Sequence, residues 1–147
     1  MTRTISFSTY VKKRNGVALG ASGSMRNTLK RSFGAGSLYL FWHYWNPIWG
    51  YYLSRNVMRP LAQFLPIWLA TLLTFAVSGG IHDLAVSLVK WNLTFFFTPW
   101  FVLMAVLVLA TKKWGISYHQ YHWAIRAALN SAFLVASLVL TLLFERL

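Results

Sequence analysis

The chain has 147 residues, room for one compact unit, and is 57% hydrophobic with a mean hydropathy of +0.50, too apolar for an ordinary soluble domain. Fourteen Lys and Arg stand against two acids, Asp83 and Glu145, for a formal charge of +12; the cations mostly flank apolar runs, the pattern of a membrane protein and not of a nucleic-acid binder. With no cysteine, disulfides, thiolate metal sites and a cysteine nucleophile are excluded.

Residues 1–37 carry half the cations (Arg3, Lys12, Lys13, Arg14, Arg26, Lys30 and Arg31) and no acid. The composition fits a basic cytoplasmic tail and also a transit peptide; the expectation is a retained segment at the cytoplasmic membrane surface. Residues 22–36, with scattered Gly and Ser, read as amphipathic or irregular, each cation near anionic lipid contributing roughly 1 kcal/mol.

Residues 38–58 open with LYLFWHYWNPIWGYY. Spacings of three and four put Trp42, Trp45 and Trp49 on one helical face, while Pro47 and Gly50 argue against a straight spanning helix. The expected element is an interfacial or re-entrant helix returning to Arg55 and Arg59, or, more plainly, an aromatic belt that anchors the chain.

Residues 61–88 are the first expected span. A helix of that length is roughly 42 Å long, more than the ~30 Å of a bilayer's hydrocarbon, so it is tilted, broken at Gly79-Gly80, or set deep within protein. Residues 93–111 form a second span closed by Lys112 and Lys113, and residues 124–144 a third. Between these two lies a polar, aromatic loop, where His119 and His122 are spaced for one helix face but have no carboxylate or thiolate nearby for a metal site. The expected fold is all-α: an integral membrane protein of about three transmembrane helices plus the Trp-rich helix, residues 38–147 forming the transmembrane domain. With the N-terminus cytoplasmic, nine cations before Pro60 plus Lys112 and Lys113 face Lys90 and Arg146 on the other side, an orientation set by the positive-inside bias. A bacterial inner membrane or an organelle membrane fits.

Ser78 and His82 are four apart and share a helical face. An ionisable residue inside an apolar segment raises a functional hypothesis, and a neutral buried imidazole can accept a proton. Asp83 beside it needs a partner, an aqueous cavity or a proton; a polar pair joining helices is the plainer account, and a proton-relay pair a third. His43 and Asn46 are three apart in the aromatic segment, where Asn46 either orients a substrate or caps a helix ahead of Pro47.

Two motifs together resemble the membrane-bound O-acyltransferase family. Phe41-Trp42-His43-Tyr44-Trp45-Asn46, continuing to Pro60-Leu61, is similar to its F-W-x-x-W signature followed by Asn or His and a stretch ending in Pro-Leu. Ser78-Gly79-Gly80-Ile81-His82 is similar to its S-x-x-x-H. The resemblance implies that His82 is the general base and Asn46 its polar partner, with Trp42, His43, Trp45, Ser78 and Asp83 as substrate-contacting positions. It implies acyl transfer from a thioester, acyl-CoA or acyl carrier protein, to a hydroxyl or amine, with no metal or other cofactor. The similarity covers residues 38–90, and the helices that normally precede this core are missing. Three spans cannot enclose an acyl chain alone, which implies a homo-oligomer, a subunit of a larger membrane complex, or a non-catalytic subunit binding lipid or partner helices.

Overall fold

The structure is a computed structural model and describes residues 5–146; Arg3 of the basic segment lies outside them. The described residues are helical, with no strand.

The basic segment is a helical hairpin. Helix α1 (Phe7–Asn15) starts at Ser6, whose hydroxyl accepts from the Thr9 amide, and stops at Gly16, whose φ of 84° suits the left-handed turn. Helix α2 (Ser24–Phe33) is tied to it through buried Asn15, which donates to Ser24 Oγ at 2.7 Å and accepts from Thr28 Oγ1 at 3.0 Å. The hairpin is also docked onto the rest of the chain. Asn130 Nδ2 donates to the carbonyls of Phe33 and Ala35, both at 2.9 Å, and its Oδ1 accepts from Tyr118 at 2.6 Å. Asn130 is fully buried, and burying an amide is tolerable because these bonds satisfy it.

The Trp-rich segment is an elbow. Helix α3 (Leu38–Tyr44) is capped by Ser37 and ends before Trp45; helix α4 (Pro47–Leu53) follows, then a π-helical turn (Ser54–Met58) and one turn of α5 (Arg59–Leu61). The break has a local cause. Pro47 lacks an N–H to continue α3 and suits the first turn of a new helix, and Asn46 takes the left-handed conformation, φ 41°, to cap it. Trp42, Trp45 and Trp49 therefore do not share one helical face, as their spacing predicts, because the elbow resets the helical phase between Trp45 and Trp49.

Helix α6 (Ile67–Lys90) runs unbroken through Gly79-Gly80 for 24 residues, about 36 Å. It begins only after Pro66, six residues later than the expected start at Leu61, because the proline ring and missing N–H block helix before it. The glycines serve close packing: a Cβ on Gly79 would lie 2.6 Å from Thr98 Cα of the neighbouring helix. Helix α7 (Phe97–Lys113) has 17 residues, about 26 Å, and α8 (Trp123–Phe144) has 22. Both α6 and α8 are long and apolar enough to cross a membrane, and only 17% of the apolar window of each is buried within the chain. The small core lies where Ala35, Leu38, Phe41 and Val108 meet, with Phe33, Phe75, Phe133 and Leu134 packed around it.

Candidate functional site

His82 lies on α6 one turn beyond Ser78, with Nδ1 2.7 Å from the Ser78 carbonyl oxygen. A carbonyl only accepts, so Nδ1 carries the proton in this contact and a neutral ring keeps its lone pair on Nε2. That tautomer suits a general base. Three aromatic rings pack against it, Phe101 with centroids 5.1 Å apart, Phe97 at 5.6 Å, and Trp49 edge-on at 6.1 Å, and the ring is only part-buried.

Trp49 joins the two motif-bearing segments. Its indole Nε1–H donates to Ser78 Oγ at 2.9 Å, so Ser78, itself buried, holds His82 through its carbonyl and Trp49 through its hydroxyl. Sequence reasoning counted Trp49 only as part of an aromatic face. The available signal was Pro47 at the first position of a new helix, which turns Trp49 away from Trp42 and Trp45. Phe97 and Phe101 were missed as well, although their spacing of four marks one face of α7.

The other candidate residues lie in separate places. Asn46 is a helix cap: its Oδ1 accepts from the Trp49 amide at 3.2 Å, so its link to His82 runs through Trp49. Trp45 stacks on Phe41 at 5.6 Å and 14°, and Trp45 and Asn46 both line a cavity of about 330 Å³ beneath α1 and α2, whose lining does not include His82. Trp42 is nearer the histidine. It packs on Phe75 and on Phe101, the ring that also contacts His82, and its buried Nε1–H has no hydrogen-bond partner among the described residues.

His43 sits among cations. The Arg14 guanidinium donates to its carbonyl at 2.8 Å. Burial, reinforced by the positive charges of Arg14, Lys13 and Arg31, pushes its imidazole down to about 4, so it is neutral at pH 7.

Asp83 is buried and faces α7. Its Oδ1 accepts from the amides of Phe96 and Phe97 at 2.9 and 2.7 Å, and its Oδ2 from the Thr98 amide and hydroxyl at 2.8 and 2.6 Å. The carboxylate thus takes up free N–H groups at the start of a helix, where the macrodipole also favours negative charge. This is the partner that its position in an apolar segment demands, and all four contacts are structural. In the loop before α8, His119 Nδ1 lies 2.9 Å from Ser117 Oγ, and His122 caps α8.

Comparison of the chain with protein-family models, with curated proteins and with solved structures finds no match.

Proposed function

We propose that this chain is an integral membrane protein of the acyl-transfer type, in which His82 activates a hydroxyl or amine for attack on a thioester. The observation that carries this reading is the meeting of the two motif-bearing segments at Trp49, Ser78 and His82. In the step, His82 Nε2 takes the acceptor's proton as its oxygen or nitrogen attacks the thioester carbonyl carbon; the C–S bond then breaks, and the leaving thiolate recovers the proton from His82. In this reading α6 and α8 span the bilayer with α7 as a shorter third span, the N-terminal hairpin is cytoplasmic, and the donor is acyl-CoA or an acyl carrier protein.

The test is the purified chain in vesicles, given acyl-CoA or acyl carrier protein thioesters with hydroxyl and amine acceptors. His82→Gln is expected to lower transfer about 10²–10⁴-fold with the fold retained; transfer that survives His82→Ala overturns the reading.

A second reading is a non-catalytic subunit that packs against lipid or partner helices. It is favoured by the apolar face of α8, where Val135, Val139 and Leu143 are exposed at 57%, 47% and 55%, an area costly to leave in water. Association with partner helices without any acyl transfer would select it.

A further inference from the structure

The cavity of about 330 Å³ and the cations around His43 are built from the same three segments: α1, α2 and the elbow between α3 and α4. The cavity wall is chiefly carbon. Val11, Leu19, Leu29, Trp45 and Ile48 line it, and the polar groups of Asn15, Ser24 and Thr28 in the same wall are bonded to one another. Such a volume falls in the range of small-ligand pockets, about 300–1,000 Å³, and this lining favours a hydrocarbon chain over a polar ligand. Its rim exposes Leu19 (47%), Met25 (71%) and Ile48 (43%), apolar surface unfavourable in water and suited to the acyl boundary of a bilayer.

The adjoining charge is one-sided. Arg14 donates to the His43 carbonyl and lies 4.4 Å over the Tyr10 ring; Arg31 lies 5.0 Å over Tyr44; and Lys13 adds a third positive charge felt by His43. The chain has only two acids, and neither serves this cluster. Asp83 spends its oxygens on α7, and Glu145 stands fifteen residues beyond Asn130 along α8, about 22 Å away along the helix axis. Lys13 and Arg14 directly precede the lining residue Asn15 on α1, and Arg31 follows the lining residue Leu29 by two on α2, so these cations flank the apolar pocket along the chain, with the counter-anion left to a ligand.

We propose that this cavity holds an acyl chain of an anionic phospholipid, whose phosphate meets Lys13, Arg14 and Arg31. The site rests on the membrane placement above but does not need His82 or acyl transfer. It gives the basic hairpin a defined lipid in place of general attraction to a charged surface.

The full chain is reconstituted in phosphatidylcholine vesicles carrying a trace of photoreactive-acyl phosphatidylglycerol or photoreactive-acyl phosphatidylcholine, and adducts are mapped by peptide. Retention with the vesicles reports membrane placement, and adducts on the exposed face of α8 report general lipid contact. The expected result is enrichment of phosphatidylglycerol over phosphatidylcholine at peptides bearing Val11, Leu29 and Ile48, with no such preference on α8. Arg31→Gln is expected to lower the enrichment about five-fold, and the cavity-filling Leu29→Trp to abolish it. Equal labelling by the two lipids at the cavity overturns the proposal, as does labelling of α8 alone or displacement by inorganic phosphate or free coenzyme A. If either variant loses its helical content, the wild-type comparison of the two lipids decides by itself.

Discussion

The side chains of Trp49 and Ser78, twenty-nine residues apart in sequence, meet at 2.9 Å, with the indole N–H donating to the hydroxyl. This bond fixes α4 to α6 beside His82, and each partner is replaceable by a residue of similar shape. Trp49→Phe and Ser78→Ala are each expected to cost about 1 kcal/mol. The double variant is expected to cost less than the sum, with a coupling of roughly 0.5–1.5 kcal/mol. A double-mutant cycle in denaturant measures it, and additive losses would show that the two groups do not pair.

Asp83 holds the start of α7 through both carboxylate oxygens. Asp83→Ala leaves three backbone amides without their acceptor and is expected to destabilise the chain by at least about 2 kcal/mol. Asp83→Asn, which keeps one acceptor oxygen, is expected to cost less. Hydrogen exchange at Phe96, Phe97 and Thr98 should speed up ahead of exchange in the middle of α7. Unchanged protection there would remove Asp83 from its capping role.

The adjacent glycines of α6 are expected to behave oppositely. A Cβ on Gly79 meets the α7 backbone at 2.6 Å, whereas one on Gly80 has only Thr98 Oγ1 at 3.8 Å. Gly79→Ala must push two helices apart, at about 1–3 kcal/mol. Gly80→Ala makes ordinary contact and gains up to about 1 kcal/mol from helix propensity. Thermal unfolding of the two variants gives the comparison, and equal effects would contradict the packing.

His43 gives the chain an acid sensitivity. Its folded-state value of about 4 lies below the ordinary 6.5, so between these values the unfolded chain binds the proton more readily. Stability from keeping His43 neutral is therefore complete above pH 6.5 and is lost as pH falls through 4. The melting temperature is expected to drop over this window, and His43→Gln, which cannot ionise, is expected to flatten the drop. A variant that loses as much as the wild type would assign the effect to other groups.

Much of the architecture is legible in the sequence because it depends on local pattern. Long, strongly apolar runs mark α6 and α8, and Pro47 after Asn46 marks the elbow and offers the asparagine as a cap. The spacing of four between Ser78 and His82 puts both on one face of a helix. What the sequence left open depends on the neighbour an element meets. Whether residues 61–88 are tilted, broken at Gly79-Gly80 or set within protein stays open until α6 is seen unbroken with α7 crossing Gly79 at Thr98. Asp83 reads as substrate contact, relay or glue until the amides of Phe96, Phe97 and Thr98 are found against it. Trp49 reads as one more interfacial aromatic until the elbow turns it onto Ser78. The sequence by itself determined helices, their apolarity and the histidine worth testing; the tertiary structure decided which polar groups around that histidine are already committed to one another. The physical reason is that helix and hydropathy are summed over neighbours in the chain, whereas a buried N–H or carboxylate is satisfied by whichever group the fold brings within about 3 Å.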